Sequence, residues 1–152
     1  PGPLTMAWLF KSSSTIDSMI GYKFGQLKWL GFAGAKLDDF LTWIPCRLVL
    51  LSLPLSSRPW HLFFKITKQA LIEGSLDQSP NSGVSEAIFA HCAQVKMGGK
   101  NIYNGIIKIK PILAENYPEA DSISIKRILK LSFRLQLIWI AIIIIINNLL
   151  FT

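Results

Sequence analysis

The sequence carries few charged residues: Asp, Glu, Lys and Arg make up 16% of its 152 positions, against roughly 25% in ordinary soluble domains. A disordered chain is excluded, because low charge together with abundant Ile, Leu, Phe and Trp is the reverse of the disorder signature. With ten glycines and two cysteines, the chain is neither collagen-like nor a disulfide scaffold. Cys46 and Cys92 lack CxxC spacing and clustered histidines, which supports neither a zinc site nor a redox pair. We expect two buried or membrane-level thiols.

Signals for secretion and for nucleic-acid binding are also missing. The first residue is Pro1 and no basic segment with a cleavable apolar core follows it. We therefore expect either a processed chain or a fragment of a longer one, and we favour the fragment. The net charge is +7, yet there is no RNP motif, zinc finger or basic heptad. Ten of the sixteen Lys and Arg residues fall between Lys65 and Arg134, together with six acids. Because such an excess beside apolar spans is typical of a cytoplasmic loop, we favour membrane topology over a nucleic-acid partner.

The sequence is instead rich in hydrophobic residues, which make up 51% of it at a mean hydropathy of +0.39. The clearest apolar segment is residues 133–152, with nine uninterrupted apolar residues from Ile138 to Ile146. Twenty helical residues cover about 30 Å, the thickness of a hydrocarbon core. We therefore predict a transmembrane helix over about residues 133–151.

A second apolar stretch, residues 40–64, is less regular. It is interrupted by three prolines and contains a basic residue: Pro45, Pro54, Pro59 and Arg47. Proline breaks helices, and arginine is costly at mid-bilayer unless it is paired or faces protein. We predict a span over about residues 40–57, as a kinked or short helix or as a re-entrant segment. Residues 4–10 are a candidate end of an earlier span.

Residues 65–132 form a polar portion in which helical periodicity predicts a helix over residues 84–96. Ser82 or Gly83 can cap the start of this helix, and Glu86 would lie in its first turn. Gly98-Gly99 would close its carboxyl-terminal end. A second helix should begin near residues 121–122 and continue into the terminal span. We therefore predict an all-α integral membrane protein, one domain over residues 1–152 with helical spans and a largely helical cytoplasmic loop region over residues 65–132.

Polar clusters between the apolar segments are the candidates for chemistry. A Ser-Pro-Asn-Ser-Gly turn at residues 79–83 can present backbone N–H groups to a phosphate or carboxylate, although an ordinary capped turn is favoured locally. Asp38 and Asp39 suggest a catalytic pair, but adjacent helical positions diverge by about 100°. They can bind Mg²⁺ or mark the membrane interface. His61 and His91 have no ligand partner at helical spacing, so we expect structural roles for both.

Four blocks of the sequence occur in the order of one known family. They are Asp-Ser-Met-Ile-Gly-Tyr at 17–22, Leu-Asp-Asp-Phe-Leu-Thr-Trp-Ile-Pro-Cys-Arg-Leu at 37–48, Ser-Pro-Asn-Ser-Gly with Glu86 at 79–86, and Gly98-Gly99-x-Asn101-x-Tyr103 with Lys110-Pro111. Together they resemble the CbiB/CobD family of cobalamin biosynthesis, the adenosylcobinamide-phosphate synthases, over about residues 1–135. The chain resembles the carboxyl-terminal half of that family. It departs from the family pattern at Val84, often Trp in members, and at His91 and Cys92, where a Gly often stands.

The resemblance implies a multi-pass enzyme of the prokaryotic inner membrane that joins aminopropanol, usually as its phosphate, to the free propionate carboxyl of adenosylcobyric acid. Its partners would be the corrinoid, the amino-alcohol phosphate, the bilayer and other membrane enzymes of the cobalamin pathway. Activating a carboxyl commonly uses ATP and Mg²⁺, and no Walker lysine motif is present. The candidate catalytic residues are Asp17, Asp38, Asp39 and Glu86, with the three aspartates as possible Mg²⁺ ligands. The candidate substrate- or phosphate-binding residues are Ser79, Asn81, Ser82, Gly83, Arg47, Gly98, Gly99 and Tyr103.

The competing interpretation is a non-enzymatic membrane component, such as a transporter subunit or an assembly partner. It would explain the spans and the basic loop, but not the ordered blocks. Under the synthase interpretation we expect the isolated chain to be inactive, because the spans of the amino-terminal half are absent from it.

Overall fold

The computed structural model describes residues 2–20, 28–57, 60–103 and 105–151. The chain divides into two compact units, one ending at Arg47 and the other beginning at Leu48. The elements, in chain order, are α1 (Pro3–Ile20), α2 (Lys28–Ser57), α3 (Trp60–Gly74), α4 (Pro80–Ala93), β1 (Met97–Tyr103), β2 (Ile106–Leu113) and α5 (Ser122–Phe151). The protein is mostly helical, as expected. It is not all-α, because a β-hairpin interrupts the region that was predicted to be largely helical.

In the part of the chain that the structure describes, two helices are long and apolar enough to cross a bilayer, by length and composition. Their apolar segments are Gly31–Ser57, with a mean hydropathy of 1.4, and Ser122–Leu149, with a mean hydropathy of 2.1. Both overlap the expected spans and begin earlier. The helix α2 continues through Pro45 and Pro54 without a break, so the chain does not fold back between residues 28 and 57.

The helix α5 begins where the sequence predicted and has a reciprocal cap. The Ser124 N–H donates to Asp121 Oδ1 at 2.7 Å, and the Asp121 N–H donates to Ser124 Oγ at 2.7 Å. This is the capping-box arrangement, which satisfies two backbone donors at a helix start. The hydrogen bond from the Ser124 backbone is the main cause that lowers the pKa of Asp121 below its ordinary value of 3.8.

In the second unit, α3 and α4 pack closely through small residues. Ala70, Ala87 and Ala90 are fully buried. A Cβ added to Gly83 would collide with the Gly74 carbonyl oxygen, and a Cβ added to Gly74 would collide with the Val84 backbone. Glycine at these two positions lets the two helix backbones meet where the turn between them closes.

The helix α4 differs at both ends from the prediction. It begins at Pro80 with Ser79 as its N-cap, four residues early, because proline is pre-organised for the first helical position. Glu86 therefore lies in the second turn instead of the first. The helix ends at Ala93, followed by Gln94 in the left-handed conformation with φ 57°, and the Arg127 side chain donates to the Ala93 carbonyl at 2.6 Å.

The closing pair that was predicted for α4 lies in the hairpin instead. Gly98 and Gly99 have φ of +90° and +74° and stand at an irregularity of β1, between the partners Met97↔Leu113 and Gly99↔Lys110. The strand β2 alternates isoleucine and lysine from Ile107 to Lys110, a period-2 pattern typical of a strand. Because Gly98 approaches the Pro111 carbonyl so closely that a Cβ would collide with it, the bend needs glycine.

Candidate functional site

A cluster of charged side chains joins α4, β2 and the turn between α3 and α4. Lys110 Nζ donates to Glu86 Oε1 at 2.9 Å and to Glu86 Oε2 at 3.0 Å. It also lies 3.8 Å from Asp77 Oδ2, and Ser82 Oγ donates to Glu86 Oε1 at 3.2 Å. The side chains are partly buried, with 30% of Lys110, 33% of Glu86 and 13% of Asp77 exposed. Glu86, which was predicted to be catalytic, is therefore held by a cation that its sequence neighbours do not reveal.

An open cavity of about 750 Å³ borders this cluster. Its lining includes Asp77, Gln78, Lys108 and Lys110, so two lysines from one strand and the turn before α4 face the same space. A cavity of this size falls within the range of small-molecule sites. Two lysines and one aspartate line it, and Lys110 already pairs with Glu86 and Asp77, so a phosphate or a carboxylate would join an existing ion-pair cluster.

Residues 80–83 of the Ser-Pro-Asn-Ser-Gly segment form the first turn of α4, with Ser79 as the N-cap residue, so the segment is not a separate turn before the helix. The Ser79 N–H donates to Asp77 Oδ1 at 3.1 Å, which places a carboxylate beside the start of α4. Asn81 is buried with 9% exposed, and Gly83 provides the close contact with α3. An anion would therefore approach from the side of Lys108 and Lys110 instead of along the helix axis.

Gly98 and Gly99, predicted to bind substrate, border a second open cavity of about 560 Å³. Lys96, Lys100 and Glu119 are also in its lining. Lys96 Nζ lies 3.5 Å from Glu119 Oε1, so one of the cations already has an acidic neighbour. The side chain of Tyr103 lies outside the described residues, as do residues 21–27, which contain the end of the first family block.

Sequence reasoning missed a buried network centred on Glu73. Glu73 Oε2 lies 2.9 Å from His91 Nε2, and it accepts the Ala114 N–H at 2.9 Å. One carboxylate therefore ties α3, α4 and the residue that follows β2. His91 is 4% exposed and Cys92 is 5% exposed, which fits the expected structural role of the histidine. The partners are 18 and 41 positions apart, so no local spacing could have revealed them.

The first unit contains Asp17 of the first family block, and Asp38, Asp39 and Arg47 of the second. Gly34 is the point where α2 approaches α1, because a Cβ there would lie 3.1 Å from Ile16 Cγ2 and 3.8 Å from the Asp17 nitrogen. Asp38, one turn after Gly34, interacts electrostatically with Asp17 and Asp39. The Thr42 hydroxyl donates to the backbone carbonyl of Asp38 at 2.7 Å.

Arg47 has contacts of a different kind from those expected. One of its guanidinium nitrogens lies 3.2 Å from Cys46 Sγ, and the guanidinium lies 5.3 Å from the Trp43 ring centroid. Within the described residues, its contacts do not include an acid. Cys46 itself is buried with 4% exposed and reduced, as expected.

The candidate metal ligands do not form a metal centre by themselves. Within residues 2–20, 28–57, 60–103 and 105–151, no three His, Cys, Asp or Glu side chains are placed to share a metal ion. The structure brings Asp17 near Asp38 in the first unit and Glu86 near Lys110 in the second.

Comparison with known proteins gives a consistent result. The model of the CobD/Cbib protein family matches residues 2–132. A cobalamin biosynthesis protein CobD from Synechocystis sp. is 44% identical over 115 residues, which are 75% of this chain and 32% of that protein. Proteins of the same name from Streptococcus sanguinis and Clostridium acetobutylicum are 38% and 31% identical over 80% and 95% of this chain, and over 39% and 46% of their own lengths. No solved structure matches the chain.

The chain thus spans between a third and a half of the length of these relatives. The matched residues include all four blocks, from Asp17 to Pro111. On these grounds the chain belongs to the CobD/Cbib family.

Proposed function

We propose that this chain acts in cobalamin biosynthesis, as part of an enzyme that attaches aminopropanol or its phosphate to the free propionate carboxyl of adenosylcobyric acid. The product would be adenosylcobinamide or its phosphate. The observation that carries the proposal is the family match over residues 2–132, joined to relatives whose name states cobalamin biosynthesis. A transporter subunit or an assembly component would not account for that match, and we do not favour it.

The phosphate of the amino alcohol is proposed to bind in the 750 Å³ cavity, beside Lys108 and Lys110. Two cationic side chains from one strand can neutralise a phosphate, and charge-assisted hydrogen bonds are about twice as strong as neutral ones. Glu86 and Asp77 hold the Lys110 ammonium at the cavity wall. Glu86 is therefore proposed as a positioning residue for Lys110, in place of the general base or helix-terminus acid considered from the sequence.

ATP and Mg²⁺ are proposed as the source of the activated carboxyl for the full reaction. The donor set of this chain does not fit a protein-built Mg²⁺ centre, since the described residues do not gather three ligands. The chain also lacks a Walker motif. The proposed role of this chain's own residues is therefore to bind and orient the substrates.

The bilayer is the proposed location, as part of a multi-pass protein of the inner membrane with residues 65–132 on the cytoplasmic side. Within the two apolar helices, only 22% and 11% of the most apolar window is buried. A core helix of a soluble protein would be mostly buried, because an apolar surface exposed on nearly all sides needs lipid or further protein to cover it. The excess of Lys and Arg between Lys65 and Arg134 supports the cytoplasmic side.

A chimera tests the proposed function directly. In the Synechocystis relative, the segment matched by this chain would be replaced with the chain, and the gene would be introduced into a strain that lacks its own amide-forming enzyme. We expect growth on adenosylcobyric acid to be restored, and restored poorly by Lys110→Met at equal membrane abundance. A chimera that is abundant in the membrane yet never restores growth would contradict the proposal.

A further inference from the structure

Three polar residues of the first unit lie on the helix faces where α1 and α2 meet. Gly34 on α2 lies against Ile16 and Asp17 on α1. Residues four apart share a helix face, so Ser13 lies on the face of Asp17 and Asp38 lies on the face of Gly34. Asp17 lies beside Gly34 and Asp38 lies one turn further along α2, so the two residues stand on the faces that meet, and their carboxyl groups interact electrostatically.

The polar atoms in this contact are buried without partners. Ser13 is 2% exposed, and its Oγ has no hydrogen-bond partner among the described residues. The same holds for Asp38 Oδ1, a buried carboxylate oxygen. A buried polar atom without a hydrogen bond destabilises the fold, and a carboxylate without a counter-charge does so more strongly. Two such atoms on facing helices therefore indicate a ligand that supplies donors and positive charge.

The neighbouring cations of α2 do not supply that charge. Lys36 Nζ lies 5.8 Å from the Phe32 ring centroid, and Arg47 lies over Trp43. In the described part of the chain, neither Lys36 nor Arg47 forms an ion pair with Asp17 or Asp38. Within the described residues, the contact between α1 and α2 therefore holds two carboxyl groups without a lysine or an arginine paired to them.

The donor set favours an ammonium group over a metal ion. Mg²⁺ demands near-octahedral oxygen coordination, and no third metal-ligating side chain joins the two aspartates within the described residues. A primary ammonium carries one positive charge and three N–H donors. Two carboxylates and one hydroxyl offer it three acceptors.

We propose that Ser13, Asp17 and Asp38 form a binding site for the primary ammonium group of a small amino alcohol. The site lies between α1 and α2, and the ammonium group donates three hydrogen bonds in it, two of them to carboxylates. The identity of the ligand rests on the proposed function, whereas the ammonium chemistry rests on the side chains alone. Ser13 becomes a binding residue that none of the family blocks contains.

Direct binding tests this site without any turnover. The full chain in lipid nanodiscs would be titrated with 1-amino-2-propanol alone and, separately, with 1,2-propanediol, which lacks the ammonium, using saturation-transfer NMR. We expect saturable binding of the amine and none of the diol. Losing a hydrogen bond to a charged group typically lowers affinity by roughly 10- to 150-fold, so we expect a loss near the upper end for Asp38→Asn and about 10-fold for Ser13→Ala.

Ser12→Ala is the matched control for Ser13→Ala, because Ser12 is an exposed serine at the neighbouring position of α1, about 100° around the helix. It should retain amine affinity within about threefold. An equal loss in Ser13→Ala and Ser12→Ala would refute the site. Absence of saturable amine binding to the unaltered chain would also overturn the proposal. So would saturable Mn²⁺ binding, measured by electron paramagnetic resonance, if Asp38→Asn abolishes that binding and the amine does not compete with it.

Circular dichroism of each variant confirms that loss of binding is not loss of the fold, and Ser13→Ala removes only one oxygen. Amine binding without growth of the chimera would leave the site standing and refute the proposed function. Growth without amine binding would do the reverse.

Discussion

Removing the Glu73 carboxylate should release one identifiable backbone group. In the structure, Glu73 Oε2 accepts the Ala114 N–H at 2.9 Å and lies 2.9 Å from His91 Nε2. Ala114 is 2% exposed, so its amide has no ready access to water when the acceptor is lost. An unsatisfied buried donor costs about 1–3 kcal/mol, and the substitution Glu73→Ala leaves both the Ala114 amide and the His91 ring without this partner.

We expect Glu73→Ala to lower the free energy of unfolding by about 2–4 kcal/mol. Two groups lose a partner, and each is assigned about 1–2 kcal/mol, the lower half of the range, because the Glu73 side chain is 27% exposed. Glu73→Gln keeps one acceptor oxygen and should lose about half as much. The assay is amide hydrogen exchange of the chain in nanodiscs, read at Ala114. Protection there should fall by about 10-fold or more, since 1.4 kcal/mol corresponds to tenfold.

The control is Glu115→Ala, next to Ala114 on an exposed turn. It removes a carboxylate of the same type without touching the network, so it should leave the Ala114 exchange rate unchanged. If Ala114 were equally protected in Glu73→Ala and in the unaltered chain, the carboxylate would not link α3 to the end of β2, and the reasoning would fail.

Three further predictions concern backbone and charge. Gly83→Ala should destabilise the second unit by about 1–3 kcal/mol in thermal melting, because its Cβ would collide with the Gly74 carbonyl oxygen; Gly2→Ala, which meets nothing within 4 Å, should not. Gln94→Gly should raise stability by about 1 kcal/mol, since a non-glycine residue is strained at φ 57°; an unchanged or lower melting temperature would contradict this. The pKa of Asp121 lies below 3.8 in the fold, so its contribution to stability is complete above that pH and is lost as the pH falls through the folded value. Carboxyl NMR should show the low midpoint, and the midpoint should rise only in part in Ser124→Gly, which removes the side-chain hydrogen bond and keeps the backbone one.

Features whose cause is local were accessible from sequence. The start of α5 near residues 121–122 follows from a cap formed by residues three apart, and its length follows from an apolar run that needs no partner to identify it. The four ordered blocks identified the family, which the match over residues 2–132 confirms. The start of α4 was equally local, and it was misjudged because Pro80 was assigned to a turn when proline also favours the first helical position.

Features that depend on distant partners were not accessible. The alternation of Ile and Lys in β2 is a strand signal only when β1 pairs with it, and Gly98-Gly99 were assigned to the end of a helix for lack of that partner. The Glu86–Lys110 pair joins positions 24 apart, and the Glu73 network joins positions 18 and 41 apart. Charge and hydropathy patterns carry no information about which acid meets which base.

The sequence by itself determined the mostly helical character, the two long apolar helices and the family, because helix periodicity, hydrophobic length and motif order are properties of contiguous residues. Only the tertiary structure decided what the polar residues do. Chain folding brings Lys110 to Glu86, Glu73 to the Ala114 amide, and Asp17 on α1 to Gly34 on α2. Those encounters depend on how closely glycines such as Gly34, Gly74 and Gly83 allow two backbones to approach, and that closeness is a property of the packed helices.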